Sequence, residues 1–423
     1  MKDKKIYLGV GIVFLLIITV SFSYAYFSIN VSGNDNAKDV VVNAGTLSLV
    51  YTDGPEIKVE NIRPGKTITK EVTVKNTGTL DTNYNIVWQS LINEITNDEL
   101  VLSATCQRLN ASGIVEGTCN SIPQAPIKDA TISKKISIES GITHKYTFTI
   151  LFKDIKVDQN YNQGKKFSGV LGIEEYKAPN FATDSWSTII ANVKAGYGSE
   201  YKVGSTKEVN LGTTYGTHTL RIANTSTPSE CSTAGFSQSA CGFVLEFADI
   251  ITTHNMNPVG YYKETFYNYG WNVDGWPASS MYAFVNNDIY NSIPDEIKNA
   301  IIDTVTVSGH GSTSGETNFT STDKLYLLSS KEIFADFSSA DISNNSDTAT
   351  DLTRTLDYYT SIGVTLSNRN GAIKKNGTNS DKWWLRGALS NDNSVFFRVA
   401  ENGSSEATNA KFVNGVSPAF RIG

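Results

Sequence analysis

Ser308-Gly309-His310-Gly311-Ser312 sets a histidine between glycines, with hydroxyls on both sides and Glu316 close behind. These are the residue types of a Ser–His–acid relay. A catalytic triad, however, gathers its members from distant segments and holds the imidazole firmly, which a glycine-flanked loop does not. The stretch therefore reads as a surface loop or a small binding loop. Asp341, Asp347 and Asp351, with Asn344 and Asn345, offer hard oxygen atoms of the kind that collect calcium, but the D-x-D-x-D-G order is missing. Solvated turns are expected there and at Asp158, Gln159 and Asn160. The four histidines, His144, His218, His254 and His310, include no H-E-x-x-H pair, and only His144 lies in the first half of the chain. A catalytic zinc needs about three protein ligands. No catalytic residue and no metal site is expected, and structural calcium is the one cofactor left open.

The cysteines fall as two close pairs, Cys106 with Cys119 and Cys231 with Cys241. Two local disulfides are the expectation in an oxidising compartment, each contributing about 2–3 kcal/mol by restricting the unfolded chain, with buried free thiols as the alternative. Neither pair has the C-x-x-C spacing of redox or zinc motifs. The richest polar window runs from Gly387 to Asn414. Asn391, Asp392, Asn393, Ser394, Asn402, Ser404, Ser405, Glu406, Thr408 and Asn409 crowd around a strand containing Phe397 and Arg398. Polar side chains on turns, with an aromatic or arginine anchor, make adaptable contacts, so these residues are the candidate ligand-binding set. Two ordinary polar hairpin turns are the alternative.

The elements that must position these residues differ between the two halves. From Val40 to Tyr176 the chain alternates: Val72 and Val74 between Glu71, Thr73 and Lys75, and Tyr146, Phe148, Ile150 and Phe152 around Thr147 and Thr149. Pro64-Gly65 and Asn76-Thr77-Gly78 supply turns. An all-β sandwich is expected over residues 26–177, then a linker over 178–183 and an α+β domain over 184–423. In that domain Trp186 to Val193 has helical spacing, Met281, Phe284, Val285 and Ile289 share one helical face, and Ile297, Ala300 and Ile301 another after Pro294. Thr304–Val307, Lys324–Leu328, Trp383–Arg386 and Val395–Val399 read as short strands.

Residues 1–25 have the form of an export signal. Lys2, Lys4 and Lys5 precede an apolar run from Ile6 to Val20, and Ser23-Tyr24-Ala25 is the small-x-small pattern that signal peptidases cut. Cleavage between Ala25 and Tyr26 makes the protein secreted, extracellular or cell-surface; uncleaved, the run is long enough for a single membrane anchor. The formal net charge of −6 grows more negative once the basic leader is lost, which argues against a nucleic-acid partner.

The leader running into Tyr26-Phe27-Ser28, then Asn43-Ala44-Gly45-Thr46-Leu47, Arg63-Pro64-Gly65 and Lys75-Asn76-Thr77-Gly78, resembles the TasA/camelysin family of exported proteins processed by SipW-type signal peptidases. The resemblance implies a jelly-roll-like sandwich, a surface, extracellular-matrix or biofilm setting, and a capacity for self-assembly into fibres, which in that family uses strand addition. In this chain Tyr26 to Val31 is the segment that would add, or else a mobile tail. Camelysins are classed as metallopeptidases, an activity the histidine pattern disfavours. Further on, Trp271-Asn272-Val273-Asp274-Gly275-Trp276, Trp383-Trp384-Leu385-Arg386 and Gly415-Val416-Ser417-Pro418-Ala419-Phe420 resemble an uncharacterised surface-protein domain. They are also similar to the C-type-lectin-like fold of formylglycine-generating enzymes and of retroelement-diversified variable proteins. The formylglycine enzymes use late cysteines, absent after Cys241, and the calcium lectins' E-P-N or Q-P-D motif is missing. In the variable proteins the C-terminal stretch is the ligand-binding face. The expectation is a non-catalytic, adhesin-like surface protein binding a glycan or surface protein. A fibre-forming matrix subunit and a secreted hydrolase or peptidase are the alternatives.

Overall fold

A computed structural model describes residues 28–33, 48–54, 57–60, 62–259, 271–338 and 347–423. The chain divides between Lys177 and Ala178 into two compact units. Ala25 and Tyr26 lie outside the described residues, as do Asp341, Asn344 and Asn345.

In the first unit the strands are β1 (Ser28–Gly33), β2 (Leu49–Asp53), β3 (Ile57–Glu60), β4 (Thr67–Asn76), β5 (Thr82–Asn93), β6 (Leu100–Leu109), β7 (Val115–Thr118), β8 (Ile122–Pro126), β9 (Thr131–Ile138), β10 (Thr143–Phe152) and β11 (Phe167–Glu175). One sheet has the order β3-β1-β11-β5-β9; the other has β2-β4-β10-β6-β7, with β8 also paired to β6. Both sheets send side chains into one core, so the unit is a β-sandwich. Period-two patterning produces it: β10 buries His144, Tyr146, Phe148, Ile150 and Phe152 and turns the residues between them outward. The predicted turns also hold. Gly65 adopts φ 82°, which a glycine reaches without strain. Asn76 is buried, donating to the Leu80 and Ile138 carbonyls while accepting from Gly78 N. β1 runs parallel to β11 and antiparallel to β3, so Ser28–Gly33 fills a place in its own sheet.

The second unit mixes short helices with small sheets. Residues 178–183 belong to it rather than forming a free linker, because Phe181 is buried edge-on against Trp186 and Tyr201. Helix α1 (Trp186–Lys194) starts at Ser185, whose side chain caps Thr188 N. Its strands are β12 (Thr206–Asn210), β13 (Thr217–Asn224), β14 (Val244–Phe247), β15 (Thr252–Asn255), β16 (Thr304–Ser308), β17 (Phe319–Asp323), β18 (Lys374–Asn376), β19 (Asn379–Asp381), β20 (Trp383–Ala388), β21 (Val395–Val399), β22 (Ser405–Asn409), β23 (Val413–Val416) and β24 (Ala419–Arg421). They form sheets β12-β13-β14-β24 and β15-β23-β20-β21-β22 and the hairpins β16-β17 and β18-β19.

Met281, Val285 and Ile289 are fully buried on one face of a helical stretch that widens to a π-turn over Val285–Ile289. Phe284 is half-buried and instead stacks on His254 with ring centroids 4.3 Å apart. The expected strand Lys324–Leu328 is not one. Leu325 to Leu328 are fully buried, but the segment makes only an isolated bridge from Tyr326 to Ala419, because the apolar run is core lining between β17 and the next helix rather than half of a ladder.

Candidate functional site

The candidate ligand-binding residues lie on β21, on β22 at the sheet edge, and on the turns at either end of β21. The register sets Val399 opposite Ser405, Arg398 opposite Glu406, Phe396 opposite Thr408 and Val395 opposite Asn409. Two clusters result, separated by the strand's length of roughly 16 Å. At one end Asn391, Asp392 and Asn393 are exposed, and Asp392 Oδ1 accepts from Ser394 N and Oγ to close the turn. At the other end Asn402 Oδ1 closes the next turn on Ser404 N and Oγ. Phe397 is not at the surface. It is fully buried, edge-on to Phe337, and so anchors the strand from below.

Arg398 is the centre of what remains. It donates through Nη2 to Glu406 Oε2 at 3.0 Å and through Nη1 to Asn414 Oδ1 at 3.2 Å. Arg398 Nε, Asn414 Nδ2 and Ser405 Oγ are each buried with no hydrogen-bond partner. Buried polar groups are nearly always paired, so three unpaired ones on strands of one sheet stand out, although β20 lies between the strands of Asn414 and Arg398. The sequence reading omitted Asn414, which stands on β23, where only the sheet order relates it to Arg398.

Two other chemistry-capable pairs of this unit are sealed inside it. Arg386 of the W-L-R strand pairs with Glu332, Nη1 to Oε2 at 2.6 Å and Nη2 to Oε1 at 2.5 Å, with both side chains fully buried. Ser239, Thr353 and Ser329 N also donate to that carboxylate. Burial pushes the Glu332 carboxyl up, but Arg386 and these donors outweigh it and hold the group below its ordinary value. Lys374 Nζ lies 2.8 Å from Ser417 Oγ, the geometry of a Ser–Lys nucleophile pair that the sequence did not suggest. It cannot act as one. Lys374 spends its other donors on Glu246 Oε2 at 2.7 Å and Phe247 O at 2.6 Å, Ser417 Oγ donates to Phe247 O, and Ser417 is fully buried. Burial lowers the Lys374 pKa to about 8, against the pull of Glu246, which keeps the ammonium charged at neutral pH.

The Ser308–Ser312 loop is also accounted for. A Cβ on Gly309 would fall 2.4 Å from Asp347 Oδ1, and one on Gly311 would fall 2.4 Å from Asn272 Oδ1, so these glycines let buried polar side chains approach the backbone. Asp347 also packs against Gly387, and burial pushes its carboxyl up to about 6 despite backbone N–H donors. His310 Nδ1 contacts Gly311 O at 2.6 Å. Asp351 is exposed, while Asp347 is buried, so these two do not form one ligand set. Asn272 and Trp276 are buried within the W-N-V-D-G-W turn, the indole donating to Asp323 Oδ2 at 2.9 Å.

Both cysteine pairs are disulfides, Cys106–Cys119 and Cys231–Cys241. In the first unit, His144 Nδ1 lies 2.8 Å from Tyr84 Oη, which is 2.9 Å from Tyr146 Oη. Burial lowers the His144 pKa to about 4 and pushes Tyr146 up to about 12. The Asp158-Gln159-Asn160 stretch serves a buried carboxylate, since Gln159, Tyr161 and Asn162 all donate to Glu99. The Arg63-Pro64 turn walls a cleft of about 580 Å³ that Phe152, Val157 and Asn160 also line.

Two family models match parts of the chain. Residues 3–99 match the camelysin metallo-endopeptidase family, and residues 250–423 match a domain of unknown function, DUF6273. No curated protein matches. Among solved structures, a family 123 glycoside hydrolase from Clostridium perfringens is 12% identical over 31% of this chain and 26% of its own, with a TM-score of 0.14, a likeness too slight to carry an argument. The family name raises the question of a metal, which the camelysin-matched segment answers poorly. Residues 3–99 contain no histidine and no cysteine, so a zinc there would depend on carboxylates alone. No reaction step through a metal follows from it. Among the described residues, no helix is long and apolar enough to cross a membrane.

Proposed function

We propose that this is an exported surface or matrix protein whose second unit binds a ligand without catalysis, through the edge formed by β21, β22 and Asn414. The observation that carries the reading is the trio of unpaired polar groups around Arg398, next to a sheet edge, while the Arg386–Glu332 and Lys374–Ser417 pairs of the same unit are locked in buried networks. Arg398 Nε and Asn414 Nδ2 are donors, so the fitting partner is rich in acceptors: a glycan bearing carboxylate or hydroxyl groups, or an acidic loop of a surface protein. The lectin-like reading of this unit belongs to the same proposal. Paired cysteines suit an exterior location, and the leader would bring the chain there through signal peptidase. Binding of the full chain to a glycan and surface-protein array, lost in Arg398→Gln, tests it. No binding in either protein would refute it.

A second reading, a fibre subunit, is favoured by β1. A strand near the start of the unit, held between β11 and β3 by main-chain hydrogen bonds, is one that a neighbouring copy could supply instead. Electron microscopy over a range of concentration and pH distinguishes the two readings: persistent monomers would remove it.

A further inference from the structure

The Cys106–Cys119 disulfide lies against His144. Cys106 stands opposite Tyr146 in the β6–β10 ladder, which makes His144, two residues along, its diagonal neighbour on the same inward face. Cys119 follows Thr118, whose partner is Gln107, so it sits beside Cys106 on the other side. The two sulfurs and one imidazole nitrogen all lie within 4.8 Å of one another, the one such grouping of three metal-capable side chains among the described residues.

Two thiolates and an imidazole are a ligand set for zinc. A tetrahedral zinc with Zn–S near 2.3 Å and Zn–N near 2.0 Å spaces its ligand atoms by about 3.3–3.8 Å. Breaking the S–S bond lets the sulfurs move apart toward that spacing, while the nitrogen is already within reach. The outer shell is also present. Tyr84 Oη holds His144 Nδ1 at 2.8 Å and is itself held by Tyr146, which orients the ring. Cys106 is buried and Cys119 is half-buried, so an ion and its water ligand have a way in from the Cys119 side.

We propose that the first unit carries a redox-gated zinc site: Cys106, Cys119 and His144 bind the ion when their disulfide is reduced, and bind none when it is closed. The chemistry balances with an external dithiol as reductant. The dithiol gives two electrons and two protons to the disulfide, leaving two cysteine thiols and its own cyclic disulfide. Zinc then displaces two protons as both thiols become thiolate ligands, and water takes the fourth position. Because the ion binds only the reduced form, it makes that disulfide easier to reduce. No hydrolysis is assigned to the site.

The test uses the full chain, reduced with a phosphine and titrated with Co²⁺ as a spectroscopic stand-in and then with Zn²⁺. One thiolate-to-cobalt charge-transfer band at one ion per chain is expected in the reduced protein and none in the oxidised one, with zinc raising the melting temperature of the reduced form only. His144→Gln retains the disulfide, so its fold is verified oxidised before reduction. It should bind at least about tenfold more weakly, and Tyr84→Phe about ten- to a hundredfold more weakly as a positioning residue. Cys231→Ser/Cys241→Ser should keep the band, and Cys106→Ser/Cys119→Ser should lose it. Equal behaviour of oxidised and reduced chains, unchanged affinity in His144→Gln, or a band that follows Cys231 and Cys241 would overturn the proposal.

Discussion

Replacing Arg386 by methionine perturbs the second unit at its most buried charge. The guanidinium makes two bonds to Glu332 and donates to Val307 O and Leu327 O, so its loss strands a fully buried carboxylate and leaves two carbonyls short of a donor. Breaking a buried pair from one side costs about 3–5 kcal/mol, and the orphaned carbonyls place this case toward the upper end. Against a total stability of about 5–15 kcal/mol, that is a large fraction. For a unit of this size the melting point should fall by roughly 10 °C or more. Replacing both partners, Arg386→Met with Glu332→Leu, removes the stranded charge and should recover most of the loss, since apolar groups often substitute for a buried pair at little net cost. Urea unfolding followed by tryptophan fluorescence reads this unit selectively, because Trp88 is the one tryptophan outside it. A single variant within about 1 kcal/mol of the parent, or a double variant no better than the single, would refute the structural role given to Arg386.

The first unit should lose stability in acid through His144. Its folded pKa of about 4 lies below the ordinary 6.5, so as pH falls from 6.5 toward 4 the unfolded chain takes a proton that the folded one refuses. The loss is at most about 3 kcal/mol; urea titrations from pH 7 to 4.5 should show a shallower slope in His144→Gln, and identical slopes would contradict this. Gly387→Ala sets a Cβ 2.4 Å from Asp347 Oδ2 and should cost about 1–3 kcal/mol by calorimetry, whereas Gly377→Ala meets no neighbour and pays only for its φ of 64°. A Gly387 variant as stable as the parent would mean the Asp347 packing is looser than described.

Much of the first unit was legible because its strands report burial one residue in two: Val72, Val74, Tyr146, Phe148 and Ile150 point inward as their spacing requires. The cysteine pairs were legible too, being close in sequence. Local spacing misled at Lys324–Leu328, where an apolar run without alternation does not distinguish a strand from core lining. It also placed Phe397 among surface residues, since a strand of Phe396, Phe397 and Arg398 does not reveal that both rings are buried. The buried networks were not legible at all. Glu246 meets Lys374 across 128 residues and Ser417 meets Lys374 across 43, and nothing local in a chain announces such partners. Arg386 was noticed as part of a motif, but only Glu332 explains what it does.

The central claim, that the Arg398 edge binds a ligand, is tested most directly by measuring the full chain and its Arg398→Gln variant side by side on one glycan and surface-protein array. The account predicts retention of an acidic or acceptor-rich partner by the parent, at least about tenfold weaker in a variant with an unchanged melting curve, as expected when a charged donor of about 1.5–3 kcal/mol is lost. Equal binding by the two proteins, or none by the parent, would contradict it.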